Sequence, residues 1–195
     1  MQLNDVLKQR RSIRKYKKQF VCIDDIHQMI EAAILAPSWK NSQVTRYYIV
    51  EGEIMLEKIK NTLPEFNFDN VKNAPVLIIS TIILNRSGYE RDGTPSNELG
   101  NGWGYYDCGL QNMNLLLKAT ELGLSTLVMG IRDAKQIKDF LSIPENEGVV
   151  SVIAVGYGDI EPKHLKKLRE YMKNRRRVSS ILIHLALMNI CNHHK

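Results

Sequence analysis

The sequence predicts a mixed α and β protein built around one central sheet. Short β-rich apolar runs alternate along the chain with segments of helical periodicity, and few of them make a clean βαβ unit. Residues 149–156 form a near-continuous apolar run, the mark of a strand buried on both faces. No repeat, low-complexity tract or Gly/Ser linker divides the 195 residues, of which 44% are hydrophobic and 25% charged, so residues 1–170 read as one domain with one core.

The elements follow in order. Leu3, Val6 and Leu7 space a short amphipathic helix ahead of a basic stretch. Asp24 and Asp25 supply a helix cap, and Ile26, Met29, Ile30, Ala33 and Ile34 then recur at helical spacing until Pro37 forces the chain out of helix near Ala36. That helix delivers the next few residues as a loop. Residues 47–50 and 76–80 are β-rich, with a helix over 54–63 between them. Residues 88–104 are polar and punctuated by Gly88, Gly93, Pro95, Gly100 and Gly102, which predicts a long loop of the kind used as a lid or binding loop. Residues 107–122 are the strongest helix. Leu110, Met113, Asn114, Leu117 and Glu121 make one stripe and Leu115, Leu116 and Ala119 another, so this helix is central or packs against a second subunit. Gly123 ends it, residues 125–130 form the next strand, and 135–141 a short helix ahead of Pro144.

Charge is unevenly placed. Residues 8–18 hold seven cations and no acid, and residues 161–177 hold eight cations against two acids, so the rest of a chain whose formal charge is +6 carries −7. Two basic clusters at opposite ends suit one compact anionic group better than the continuous stripe a nucleic-acid binder needs. Solvated faces are the plain alternative. No apolar run approaches the roughly 20 residues of a membrane-spanning helix, and the first 20 residues are too basic for a secretory signal, so a cytoplasmic protein is expected. Cys22, Cys108 and Cys191 are odd in number and widely spaced, which argues against a disulfide framework and a structural zinc site.

Two segments carry candidate chemistry. Arg10-Arg11-Ser12-Ile13-Arg14 places three guanidinium forks and a hydroxyl within five residues, a pattern suited to phosphate oxygens. Pro37-Ser38-Trp39-Lys40-Asn41-Ser42-Gln43 projects amides and an indole from the end of a helix, and amides offer both donors and acceptors to the edge of a heterocycle. His27, His193 and His194 lack further ligands at metal spacing, and Cys108 reads as a core residue. Gly100-Asn101-Gly102-Trp103-Gly104 has no preceding strand and is no dinucleotide fingerprint.

Together, these segments resemble the paired N-terminal signatures of the nitroreductase family of FMN-dependent flavoproteins. The resemblance continues through Asn73-Ala74-Pro75-Val76, Asp107-Cys108-Gly109-Leu110-Gln111-Asn112, Leu122-Gly123-Leu124, Met129-Gly130-Ile131 and Val152-Ile153-Ala154-Val155-Gly156-Tyr157, in the family's order. It implies an α+β fold with a central, mostly antiparallel sheet among helices, and a homodimer with FMN at the subunit interface. By motif match, Arg10, Arg11, Ser12 and Arg14 hold the phosphate and ribityl chain, and Lys163, Lys166 and Lys167 complete the phosphate site. Pro37, Ser38, Trp39, Asn41 and Gln43 line the flavin, some of them in the partner's site, while Gly130 and Ile131 pass close to the ring. The implied activity moves hydride from NADH or NADPH through FMN to a flat small-molecule acceptor such as a nitroaromatic or quinone, with ping-pong kinetics and no protein nucleophile. Trp103, Tyr105 and Tyr106 then wall the flavin or lie at the dimer seam.

The chain departs from the family pattern in two places. Val44 stands where proline usually follows the Gln of the second signature. Residues 171–195 form an atypical tail in which Ile181, Leu182, Ile183, Leu185, Leu187 and Ile190 suit an amphipathic helix on a partner subunit or membrane surface, or an altered form of the ordinary ending. A reading from another class is a flavin-poor binding protein whose basic termini engage nucleic acid or an anionic surface, which rising salt would displace.

Overall fold

Side chains alternate in direction along a strand, and two central strands use that alternation to face two cores. In β2 (Val76–Ile83) and β4 (Glu147–Gly156), Leu77, Ile79, Val152 and Ala154 enter one apolar cluster, while Val76, Ile78, Ile153 and Val155 enter the other. Burying a side chain of this size contributes about 1.5–3 kcal/mol, so a run without polar interruptions fixes these strands at the centre of the molecule. The computed structural model describes residues 1–160, of which Met1–Asp159 form one unit. The expected domain boundary near residue 170 and the tail lie outside the described residues.

The sheet is completed at its edges by β1 (Thr45–Val50) and β3 (Ser125–Met129), in the order β1-β2-β4-β3 with every pairing antiparallel. One face is covered by α2 (Ile23–Ile34) and α5 (Gly102–Glu121), with α1 (Leu3–Gln9) against α5. The other face is covered by α3 (Glu53–Lys60), α4 (Glu65–Val71) and α6 (Ala134–Leu141). The fold is α+β, as expected. α2 and α5 run antiparallel, for the Asn114 amide donates to the Ala32 carbonyl at 3.2 Å and the chain leaving α2 meets the first turns of α5.

Three details differ from expectation. The residue at the N-cap of α2 is Cys22, without a side-chain bond; Asp24 and Asp25 occupy the first turn, where their charge favours the positive end of the helix dipole. α5 starts at Gly102 rather than at Asp107, so Trp103, Tyr105 and Tyr106 stand on a helix and not in a loop. α4 is an element the periodicity does not announce. Of the two stripes expected on α5, Leu115, Leu116 and Ala119 enter the core, while Leu110, Asn114 and Leu117 are half-buried and Met113 is exposed, as are Tyr105 and Tyr106 in the added first turns.

Candidate functional site

The basic segment is shaped by two buried anchors. Ile13 and Tyr16 are buried, while Ser12, Arg14 and Lys15 are exposed. The Ile13 amide donates to the Thr126 carbonyl at 3.0 Å and Ser12 bridges Thr126, which seats the segment on the outer edge of β3. Tyr16 bridges Gly158, the Lys17 amide donates to Tyr157 and the Asp159 amide donates to Lys15. A side chain at Gly156 would lie 2.7 Å from the Pro75 ring, so glycine there lets Tyr16 and Pro75 close over the end of β4. Arg10 and Arg11 are half-buried, and an Arg11 Nη1 donates to the Arg10 carbonyl at 2.6 Å. Among the described residues no carboxylate pairs with Arg10 or Arg14. Lys163, Lys166 and Lys167 lie outside the described residues.

The second segment leaves α2 through Pro37 and makes a single tight turn at Trp39–Asn41. Lys40, Asn41 and Gln43 have φ of 43°, 54° and 49°, a left-handed conformation that costs about 1–2 kcal/mol per residue other than glycine. The surroundings over-determine that shape. Trp39 N–H donates to both carboxylate oxygens of Asp107 at 3.1 Å, Ser38 Oγ accepts from Gln43 N–H at 3.0 Å, and Gln43 Nε2 donates to Asn41 Oδ1 at 3.0 Å. Arg46 donates to the Gln43 carbonyl at 2.8 Å. Lys40 pairs with Glu90 at 2.9 Å across to the connection that precedes α5; the Ser96 hydroxyl and then Lys40 hold the Glu90 carboxyl below its ordinary range. Val44, in the place of the usual proline, is buried against Ile82 and Cys108, and its carbonyl accepts from Ile83.

Trp39 and Trp103 are 4.4 Å apart between ring centroids at 44°, and Tyr106 meets Trp103 edge-on at 5.8 Å. Trp39 Nε1 is buried without a hydrogen-bond partner among the described residues. The connection before α5 approaches closely at Gly88, whose φ is 80° and where a side chain would lie 2.4 Å from the Gly100 carbonyl.

Gly130 and Ile131 follow β3 and are exposed. Arg132 donates to the Gly130 carbonyl at 2.8 Å and to Val149, and Asn67 donates to the Ile131 carbonyl at 3.5 Å, so side chains hold this turn from below. A side chain at Gly130 would meet nothing within 4 Å. The described fold does not require glycine there.

Within one chain these parts are only partly brought together. The basic segment and the Gly130 turn share the β3 edge, Thr126 and Gly130 being about 13 Å apart along the strand. The loop of residues 37–43 leads into β1, at the opposite edge of the sheet. It also meets α5 at Asp107, about 20 Å of helix from Glu121 and the turn that leads to Thr126. Ser87 and Arg132 are supporting residues that motif and charge did not single out, and Asp107 stood in the motif series without a role. Among the described residues there is no cluster of His, Cys, Asp or Glu able to hold a metal, and no helix long and apolar enough to cross a membrane.

The fold agrees with what comparison finds. The profile of the nitroreductase family matches residues 7–65 and 57–157, and the chain belongs to that family. A protein of Methanothermobacter thermautotrophicus under the provisional name NADH dehydrogenase/NAD(P)H nitroreductase is 33% identical over 161 residues, 80% of this chain and 78% of its own. One of Archaeoglobus fulgidus under the same name is 32% identical over 153 residues, 76% of this chain and 80% of its own. Among solved structures, a nitroreductase family protein of Clostridium novyi NT superimposes with a TM-score of 0.71 at 26% identity, over 84% of this chain and 88% of that one. An FMN-dependent nitroreductase of Clostridium difficile R20291 does so with a TM-score of 0.62 at 27% identity, over 80% and 87%. The chain is an enzyme of nitroreductase type.

Proposed function

We propose that this enzyme is an FMN-dependent oxidoreductase, working in the cytoplasm as a homodimer, that takes hydride from NADH or NADPH and reduces a flat small-molecule acceptor such as a nitroaromatic or quinone. The observation that most supports the reading is the β3 edge, where an outward cationic segment and an uncovered glycine turn lie on one line. The residues fit the cofactor. Arg10, Arg11, Ser12 and Arg14 offer charge-assisted donors to a phosphate; Lys163, Lys166 and Lys167 are given to it by the sequence resemblance alone. Gly130 and Ile131 give a ring close access to backbone. Pro37, Ser38, Trp39, Asn41 and Gln43 line the ring from a second copy of the chain, since within one chain they stand at the far edge of the sheet. The exposed Tyr105, Tyr106 and Met113 on α5 then find cover at the seam between copies.

Bound FMN supplies the redox chemistry, accepting hydride from a nicotinamide and releasing electrons to an acceptor. The chain's own residues bind and orient. Guanidinium forks would hold the phosphate end. Amides of Asn41 and Gln43, held in place by the hydrogen bond from Gln43 to Asn41, would offer preorganised dipoles to a bound ring. No side chain forms a bond to substrate. Steady-state rates of the FMN-loaded protein with NADH or NADPH against a quinone test the reading. Parallel double-reciprocal lines are expected, and intersecting lines exclude the two-step order. If neither nicotinamide bleaches the flavin under anaerobic conditions, the oxidoreductase reading fails.

A further inference from the structure

We propose that Asp107 is the positioning residue of this site, holding the loop of residues 37–43 in its ring-lining shape and tying it to the connection that precedes α5; the link to the ring rests on the function proposed above. Asp107 stands in the second turn of α5, is 2% exposed, and directs its carboxylate away from the helix into two loops. It accepts Trp39 N–H on both oxygens at 3.1 Å, Ser42 Oγ at 3.4 Å and Ser87 Oγ at 2.6 Å. These partners are 68, 65 and 20 residues away in sequence, so a single buried carboxylate joins three segments.

A second grip comes from the same helix. Trp103 is four residues before Asp107 and therefore on the same side of α5, one turn earlier, and its ring packs on Trp39 at 4.4 Å. The loop is thus clasped by its Trp39 backbone and its Trp39 ring at successive turns. Three of the residues that follow hold left-handed conformations, which an unrestrained loop would leave. Asn41 and Gln43, which present amides outward, are exposed and make no contact with Asp107. Asp107 acts on them only through the backbone it anchors. A buried carboxylate stripped of these donors would be costly, so the loops and the carboxylate hold each other.

The test compares Asp107→Ala with Asn112→Ala. Asn112 is also buried on α5, but it bonds Tyr47 and Ser80 in the core and touches neither loop. The first readout is the circular-dichroism couplet of the Trp39–Trp103 pair in cofactor-free protein, and the second is the dissociation constant for FMN. Asp107→Ala is expected to lose the couplet and weaken FMN at least tenfold. Asn112→Ala is expected to keep both while unfolding at lower denaturant. If Asp107→Ala does not fold, Asp107→Asn is judged by the same two readouts. A folded Asp107 variant with an unchanged couplet or unchanged FMN affinity overturns the proposal, as does an equal loss of FMN in Asn112→Ala. If the unaltered protein takes up no FMN, the proposed function fails instead, and the couplet still decides whether Asp107 shapes the loop.

Discussion

Ser12 and Arg14 are exposed beside the buried Ile13 and Tyr16, and those two anchors are what make a basic run into a directed set of donors. A charge-assisted contact to phosphate contributes about 1.5–3 kcal/mol. Arg14→Ala is therefore expected to weaken FMN binding by roughly 10- to 150-fold, measured by fluorescence titration, with folding stability unchanged within about 0.5 kcal/mol because Arg14 is exposed. Full FMN affinity in this variant would remove it from the phosphate site. The two signature segments were legible as residues, since arginine forks and paired amides have recognisable chemistry at short spacing. The role of Asp107 was not. Its partners are distant in sequence, and an aspartate at the head of an apolar helix has the same local pattern whether it caps, solvates or clasps a loop.

α5 decides how the rest is arranged, and on its buried face Asp107 meets the loops while Asn112 meets Tyr47 and Ser80 of the sheet. Cys108, between the two in sequence, is fully buried, and burial pushes its thiol up to about 11 from 9.0. In the unfolded chain the thiol loses its proton first, so this contribution to stability is whole below about pH 9 and is lost as pH rises towards 11. One such proton gives a slope of about 1.4 kcal/mol per pH unit. Tyr16 and Tyr47, both raised by burial, extend the loss above pH 10. Urea midpoints are expected to fall from pH 9 to pH 10, and Cys108→Ala is expected to flatten that interval; an unchanged slope would contradict the assignment. The core of α5 was readable from its periodicity, but its first turn was not. Gly102 and Gly104 disfavour helix on their own. The helix extends over them because Trp103 packs on Trp39, and because a side chain at Gly104 would lie 3.0 Å from Ile82. α4, with Asn67, Asp69 and Asn70 in seven residues, has neither the periodicity nor the composition of a helix and depends on burying Asn67 and Val71. The strands were clearer, because residues 76–79 of β2 and 152–155 of β4 face apolar clusters on both sides and form unbroken apolar runs.

Among the described residues, the two halves of the proposed site lie at opposite edges of one sheet, and Tyr105, Tyr106 and Met113 of α5 are uncovered. A second copy related by two-fold symmetry would bring the phosphate segment of one chain to the ring-lining loop of the other. Mixed dimers test this most directly. One chain carries Arg10→Ala with Arg14→Ala, and the other carries Asn41→Ala with Gln43→Ala. Each double variant alone is expected to hold little FMN. If the site is shared between copies, the mixed dimer regains one intact site from the unaltered segment of each chain, and bound FMN rises to one per dimer. A mixed dimer as empty as its parents, against an unaltered protein holding one FMN per chain, would mean that each site is built within a single chain.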